Sequence, residues 1–207
     1  MTPNPAADAP RRRAPGMSTE QRREMILQTA LPLVAEYGSK VTTAQIARAA
    51  GIGEATIFRV FADKDELLQA CVLRALDPTH LLAHLETISL DQPLADRLVE
   101  AAEALQAHLS RMGAVIGSLH ATGHPPSRTA PASPSPEDRS AGRDASQAAT
   151  KAALAELFEP EADQLRLPAA TAADVFLGFM FARGRFPGTS DATVADLVDL
   201  FLHGALR

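Results

Sequence analysis

The stretch best suited to a chemical task is residues 43–61, where small, turn-forming and apolar residues recur at the offsets of a helix-turn-helix. Ala47 supplies a small side chain where two helices approach each other, and Gly51 can turn with a positive φ. The apolar residues available for a miniature core are Ile46, Ala50, Ile52, Ile57 and Phe61. Such a motif reads base edges in the DNA major groove, although two ordinary packed helices joined by a glycine turn would share part of the pattern.

The charge distribution agrees with a DNA-reading head on a larger body. The 207 residues carry a net charge of -5, which by itself disfavours nucleic acid as a partner. Residues 1–61 nevertheless hold eight Lys or Arg against five Asp or Glu, a net charge of +3, which leaves -8 for residues 62–207. A basic head is attracted to phosphate, whereas an acidic body is repelled by it.

Helices must position the motif. Ser18 and Gln21 form the pattern of a capping box that begins the first helix. Thr43 is the expected N-cap of the second helix. The apolar periodicity predicts the three helices of the head over residues 18–38, 43–50 and 54–61.

The remainder of the chain also has helical periodicity. Asp63 is expected to cap a long fourth helix, with Pro78 near its middle or its end. Because no stretch alternates with a period of two, we expect no sheet and an all-α fold of about nine helices. Further helices are predicted over residues 94–112, 145–158, 169–183 and 191–203.

Two segments lack this periodicity. Residues 1–17 are rich in Pro, Ala and Arg and are expected to form a disordered basic arm. Residues 122–141 contain five prolines and few large apolar side chains, which predicts a mobile loop. The arm therefore precedes a head over residues 18–68 and a body over residues 69–207.

A group of short motifs occurs together in residues 22–68. They are Ile26-Leu27-x-x-Ala30, Glu36-x-Gly38, Thr42-Thr43-x-x-Ile46-Ala47-x-Ala49-Ala50-Gly51-Ile52, Ala55-Thr56-Ile57-Phe58-x-x-Phe61 and Asp63-Lys64-Asp65-Glu66-Leu67-Leu68. Each is weak alone, but in combination they resemble the tetracycline-repressor (TetR) family of bacterial transcription regulators. Beyond residue 68 the resemblance rests on the helix pattern.

The resemblance implies an all-helical homodimer. Its recognition helix would enter the major groove of a palindromic operator, while the body would bind a small effector and form the dimer. Family members usually repress transcription and release DNA when the effector binds. The alternatives are an activator or corepressor-type regulator of the same fold, and a helical ligand-binding protein or enzyme that binds no operator.

The resemblance also implies a set of DNA contacts. Arg59 is the candidate for reading guanine, because its guanidinium can donate two bonds to O6 and N7; holding a phosphate is the alternative. Thr43 and Lys64 lie where family members contact phosphates. The positions that would face DNA on the third helix are Glu54, Ala55, Thr56, Phe58 and Arg59.

Three positions depart from the family pattern. Gly53 stands where serine usually caps the third helix, Phe58 where tyrosine is frequent, and Val60 where histidine or tyrosine is frequent. The loss of these polar groups predicts fewer phosphate contacts and a weaker salt dependence of binding. The hypothesis is that a basic arm compensates along the DNA backbone or in the minor groove, whereas a solvated tail is the alternative. The arm residues are Arg11, Arg12 and Arg13.

The body would supply the dimer interface and the effector pocket. The dimer interface is expected to include Phe179, Val194, Leu197, Val198, Phe201 and Leu202 in the last two helices. An apolar pocket with a few polar groups, suited to a hydrophobic effector, is expected among helices four to eight. Its expected lining is Leu105, His108, Met112, Ile116, Leu119, His120, Phe176 and Met180.

The sequence disfavours several other classes. Cys71 is the single cysteine, which excludes an intramolecular disulfide and is typical of a reducing compartment such as the cytoplasm. The longest apolar run, residues 175–182, is too short to span a membrane. No phosphate-binding glycine loop, His-Glu-x-x-His or Gly-x-Ser-x-Gly motif indicates an enzyme. His80 and His84 have no clear third partner, so neither a metal nor a cofactor is expected.

Overall fold

A computed structural model of the chain describes residues 17–123, 136–185 and 192–205. Within these ranges the chain forms nine α-helices and no strand, which confirms the predicted all-α fold. The α-helices are α1 (Thr19–Tyr37), α2 (Thr43–Ala49), α3 (Glu54–Ile57), α4 (Lys64–Leu76), α5 (Thr79–Thr87), α6 (Leu94–Ala121), α7 (Pro136–Glu156), α8 (Ala169–Arg185) and α9 (Val194–Ala205). Short 3-10 helices follow α1 and α7 at Gly38–Lys40 and Glu159–Gln164.

Local capping determines where the helices of the head begin. The Ser18 side chain and Gln21 form the predicted capping box of α1. The N-cap of α2 is Thr42 and not Thr43, because the Thr42 hydroxyl accepts the amide of Gln45 at 3.1 Å and the Gln45 side chain accepts the amide of Thr42 at 2.8 Å. Only Thr42 lies three residues before a glutamine, so the spacing of the box could have decided between the two threonines.

The third helix is shorter than predicted. It ends at Ile57, although the amides of Val60 and Phe61 still donate to the carbonyl oxygen of Ile57 at 2.9 Å. Gly53 is its N-cap and supplies no side-chain hydrogen bond, as the sequence predicts. The predicted recognition helix is therefore a single turn, which is held by its neighbours and not by its own length.

The predicted long fourth helix is two helices. α4 ends at Leu76, since the residue before Pro78 is forced out of the helical region, and Asp77 is extended with ψ 118°. The Asp77 carboxylate accepts the amide of Thr79, the first residue of α5, at 3.0 Å, although the N-cap Pro78 offers no side-chain hydrogen bond. Pro78 thus lies at a helix boundary.

The predicted loop over residues 122–141 is wrong at its C-terminal end. α7 begins at Pro136, because proline at the first helical position loses no hydrogen bond and has a φ that suits the helix. Residues 136–141 are therefore helical, and the helix predicted from residue 145 begins nine residues earlier. Residues 124–135 of that loop lie outside the described residues, as do residues 1–16.

Two hydrophobic cores lie along the molecule, and α6 contributes to both. The head core is built from α1 to α4 and extends through α4 beyond the predicted boundary at residue 68, to Ala75. The C-terminal half of α6 closes it with Val115 and Leu119. The N-terminal half of α6 joins the body core with Leu98 and Leu105. A boundary between residues 68 and 69 therefore cuts through α4 and through the head core.

The body core is centred on aromatic rings that are far apart in sequence. Phe176 lies 6.2 Å from Phe158 and 5.2 Å from Phe201 between ring centroids, in edge-to-face geometry. Beside this core, Arg97 of α6 is 1% exposed and forms an ion pair with Glu161. The same guanidinium donates to the carbonyl oxygen of Leu90 at 2.6 Å. These contacts join α6, α8 and α9 to the segment after α7.

None of the helices in the described ranges has the length and apolar character needed to cross a membrane.

Candidate DNA interface and effector cavity

The third helix and the turn after it present an exposed face. Ala55, Phe58 and Arg59 are exposed at spacings of three and four, whereas Ile57 is buried in the head core and Thr56 is half-buried. Phe58 is 48% exposed. Within the described residues Arg59 has no ion pair or hydrogen bond, so its five donors are free to bind a partner.

Two of the predicted DNA contacts are bonded to each other. The Thr43 hydroxyl donates to the Glu54 carboxylate at 2.5 Å, which ties the start of α2 to the start of α3. The carboxylate also lies in the first turn of α3, where the helix dipole favours it. A phosphate contact by the Thr43 hydroxyl would need this bond to break.

Lys64 also has an internal role. Its ammonium donates to the carbonyl oxygen of Ser39 at 2.6 Å and fixes the 3-10 helix that follows α1. Two of its three protons remain available, so a phosphate contact is compatible with this position. The third element of the predicted interface, the arm with Arg11, Arg12 and Arg13, lies outside the described residues.

Polar contacts hold the recognition element against α1 and α4. The guanidinium of Arg23 lies 4.4 Å from the centroid of the Phe61 ring and 3.5 Å from the Glu66 carboxylate. Glu66 also accepts the amide of Ala62 at 2.7 Å, and its own amide donates to the predicted cap Asp63 at 2.8 Å. The end of the predicted recognition helix is therefore held by four contacts, namely one cation–π contact, one ion pair and two hydrogen bonds.

The head and the body meet along α1 and α6, and one end of this seam is pinned. The Ser118 hydroxyl donates to the carbonyl oxygen of Val34 at 2.6 Å, and the amide of Ser39 donates to the Thr122 hydroxyl at 2.9 Å. Gly38 has φ 58°, and a Cβ there would lie 2.5 Å from the Thr122 hydroxyl oxygen. The two helices can approach this closely because residue 38 is glycine.

The other end of the seam is open. A cavity of about 600 Å³ lies between α1, α4, α5 and α6. The polar residues that line it are Gln28, Arg74, Asp77, His80, His108 and Arg111. A volume of this size holds a small organic ligand.

Charges within the cavity wall are partly neutralised. Arg74 lies 3.1 Å from the carboxylate of Glu24 and 3.4 Å from that of Asp77, and its guanidinium contacts His80 at 2.6 Å. Burial tends to raise the pKa of Asp77, but hydrogen bonds from Thr79 and the nearby charges of Arg74 and His80 outweigh it and leave the pKa lowered. The Arg74 side of the cavity is therefore an internally paired network.

His108 and Arg111 differ from that network. They lie one turn apart on α6, and neither has an ion pair or hydrogen bond with the side chains that the structure describes. His108 is 8% exposed, and burial, followed by the charge of Arg111, lowers its pKa. The ring is thus held neutral beside an exposed cation.

The predicted effector lining does not come together at this cavity. Of the eight residues, His108 lines it, while Leu105, Phe176 and Met180 are packed in the body core. Leu119 belongs to the head core, with Ile116 packed against it. Met112 is half-buried and His120 is exposed. All apolar residues of α6 have equal weight in the sequence pattern, whereas the packing against α1 assigns some of them to the head. Arg111 was not predicted, and the signal that could have found it is its position three residues after the predicted His108 on the same helix.

The predicted dimer residues also separate into two groups. Val198 and Leu202 are buried within the chain and so do not face a partner, because they pack in the body core. Phe179, Val194, Leu197 and Phe201 are half-buried against that core. The exposed apolar residues of α8 and α9 are instead Val175, Phe181 and Leu200, of which Leu200 is 66% exposed.

No group of three or more His, Cys, Asp or Glu side chains is arranged as a metal site in the described part of the chain. His80, one of the two histidines considered for a metal, faces the Arg74 guanidinium, which repels a cation.

A helix-turn-helix on an all-helical body, with an exposed aromatic ring and an exposed arginine directly after its third helix, has the architecture of a DNA-reading module. Comparison with known proteins agrees. A family model described as "Bacterial regulatory proteins, tetR family" matches residues 26–71. The match covers most of the head, and it agrees with the resemblance that the sequence motifs of residues 22–68 carry.

Solved structures share the fold over nearly the whole chain. A TetR transcriptional regulator from Streptomyces coelicolor is 20% identical with a TM-score of 0.54, covering 89% of this chain and 98% of its own. A TetR-family regulator from Mesorhizobium loti is 17% identical with a TM-score of 0.59, covering 91% and 98%. AibR, crystallised with isovaleryl coenzyme A and operator DNA, is 21% identical with a TM-score of 0.50, covering 88% and 97%. At these identities the likeness shows the fold of the body, not its ligand.

Proposed function

We propose that the chain is a repressor that binds a palindromic operator as a homodimer and releases it when a small effector binds. The exposed face of α3 and of the turn after it carries this proposal, because Ala55, Phe58 and Arg59 are exposed together and Arg59 has no partner within the described residues. AibR has been crystallised with both a ligand and operator DNA, which supports a regulator that combines the two. With operator DNA as its partner, the proposed repressor would act in the cytoplasm.

The side chains on this face favour particular base edges. Arg59 can donate two bonds to O6 and N7 of guanine, whereas Ala55 and Phe58 offer apolar contact to the thymine methyl group. Glu54 is held by Thr43 in an orientation fixed before DNA arrives. We therefore infer a half-site that contains a guanine beside one or more thymines.

A palindromic operator requires two copies of this face. A twofold pairing of α8 and α9 would cover Val175, Phe181 and Leu200, which are exposed in the single chain. No side chain or backbone atom outside the helix lies near a Cβ placed at Gly178, so a partner helix can approach there. The dimer surface that we propose is thus the exposed side of α8 and α9 and excludes Val198 and Leu202.

Arg59→Ala tests the reading of DNA. Binding is measured by fluorescence anisotropy, on sites selected from random DNA by the wild-type chain. We expect affinity to fall by about tenfold to a hundredfold, with relaxed preference at one guanine. Arg166→Gln, an exposed arginine of the body, is the control and should bind normally. A uniform loss at all base positions would instead assign Arg59 to a phosphate.

Leu200→Glu tests the dimer. We expect a monomer by light scattering at micromolar concentration and loss of operator binding, because a carboxylate would be buried at the twofold interface. Leu167→Glu, at a leucine that is 50% exposed just before α8, is the matched control and should remain dimeric. A wild-type chain that is already monomeric would contradict the proposal.

The direction of the effector response tests the repressor mode. Tighter operator binding with an effector would indicate a corepressor mode.

A further inference from the structure

The cavity between α1 and α6 has one apolar side and one side with an unbalanced charge. Its apolar residues are Leu31, Pro32, Ala35, Ala75, Ala114 and Val115. On the polar side, Arg74 is already paired with Glu24 and Asp77, whereas Arg111 has no carboxylate partner among the described side chains. The cavity therefore offers a hydrocarbon surface beside one uncompensated positive charge.

His108 supplies a second polar contact at this point. Its ring is more than nine-tenths buried, lines the cavity, and makes no hydrogen bond with the side chains that the structure describes. Among the described residues only Arg97 Nε is a fully buried side-chain nitrogen or oxygen without a partner, so the ring nitrogens of His108 keep access to the cavity and can bond to a ligand there. A ligand oxygen between His108 and Arg111 would satisfy both groups at once.

We propose that this cavity binds an amphipathic organic monoanion, with its carboxylate at Arg111 and His108 and its hydrocarbon part against the wall formed by Leu31, Ala35 and Ala75. A single uncompensated arginine favours one negative charge over two. The apolar wall favours a carbon chain or ring over a bare inorganic anion. A cationic ligand would be repelled by Arg111 and by Arg74.

The position of the cavity links the ligand to the head. α1 carries one wall and α6 carries the opposite wall, and the same two helices are pinned about one end of the seam by Ser118, Thr122 and Gly38. A ligand that separates the open end would turn α1 about the pinned end. Since α1 packs on α2 and on α4, and α2 packs on α3, this rotation would move the predicted recognition helix. This regulatory step rests on the proposed function, whereas binding itself does not.

Octanoate, octan-1-ol, octylammonium and sulfate are suitable ligands for a calorimetric test on the full chain without DNA. We expect octanoate to bind at least tenfold more tightly than octan-1-ol, and octylammonium and sulfate to bind more weakly still. Arg111→Gln should reduce the affinity for octanoate on the order of tenfold and leave that for octan-1-ol unchanged. Arg166→Gln, at an exposed arginine outside the cavity, should change neither.

Three results would overturn the site. They are equal affinities for octanoate and octan-1-ol, an Arg111→Gln chain that binds octanoate normally, and sulfate that displaces octanoate completely at equal concentration. Ala35→Phe, which fills the apolar end without touching a charge, should abolish binding of both eight-carbon ligands, and its circular dichroism shows whether it is folded. Normal binding to a folded Ala35→Phe chain also contradicts the site.

The regulatory step is then measured separately. Saturating octanoate should weaken operator binding by about tenfold in the wild-type chain and have no effect in Arg111→Gln. Octanoate binding without any operator binding would refute the proposed function but leave the anion site standing. If operator affinity is normal and does not change when octanoate is bound, the proposed coupling between the cavity and the head is refuted.

Discussion

The head and the body are held together by different kinds of contact. In the head, polar contacts within four residues begin the helices, as in the boxes at Ser18 and Thr42 and the cap at Asp63. In the body, α5 and α6 begin at prolines without a side-chain cap, and Arg97 bonds to Glu161 across 64 positions. Local contacts leave a signature in a short stretch of sequence, whereas distant contacts do not.

The largest effect is expected from breaking the distant pair of the body. Glu161→Ala would leave the Arg97 guanidinium buried with no anion, which costs about 3–5 kcal/mol of unfolding free energy. Urea unfolding followed by circular dichroism measures the change. Glu159→Ala, in the same 3-10 helix at an exposed carboxylate, is the matched control and should stay within about 0.5 kcal/mol of wild type.

A second variant separates the charge from the packing. Arg97→Met combined with Glu161→Ala replaces the pair by an apolar side chain of similar length, so it should recover much of the stability lost in Glu161→Ala alone. If the double variant is as unstable as the single one, the pair contributes by shape and not by charge. The body would then not depend on its distant polar contact.

The same contrast explains how far the sequence predicts the structure. The helix-turn-helix and the Ser18 box follow from spacings of three and four, which act within one or two turns of helix. Arg97 could not be predicted, because an arginine in a helical pattern is ordinarily solvated and its partner lies beyond α7. The predicted effector lining does not coincide with the cavity between α1 and α6 for a related reason, since the faces of α6 are divided between two cores only when α1 packs against it.

A smaller effect is expected at the seam, where Gly38 meets α6. Gly38→Ala adds a methyl group at positive φ against Ser118 and Thr122, and we expect it to cost about 2–4 kcal/mol of unfolding free energy. Gly51 has φ 65° but open space around it, so Gly51→Ala should cost only about 1 kcal/mol. Equal losses in the two variants would show that the backbone angle, and not the close approach, constrains Gly38.

Chemical labelling of Cys71 independently measures how often the head core opens when the contact between Gly38 and α6 is disturbed. The thiol is fully buried in the head core, and burial raises its pKa to about 12, partly opposed by Arg23. Because the thiolate is the reactive form, an alkylating reagent at about pH 8 should modify Cys71 only when the core opens. Gly38→Ala should therefore accelerate modification by about tenfold for each 1.4 kcal/mol of destabilisation of the head. An unchanged rate in a destabilised Gly38→Ala chain would mean that the head core does not open with the seam.

The smallest effect is expected at a single local contact of the head. Thr42→Ala removes the hydroxyl that accepts the Gln45 amide, and the unfolding free energy should fall by about 1 kcal/mol. Thr42→Ser keeps the hydroxyl and should be nearly neutral, whereas Thr43→Ala, which loses a bond to Glu54, tests the neighbouring threonine. A larger loss from Thr43→Ala than from Thr42→Ala would contradict the capping assignment. A single cap contributes less to stability than the Arg97–Glu161 pair, because several short contacts share the stabilisation of the head. For the same reason α3, a helix of one turn, keeps its shape without a side-chain cap of its own.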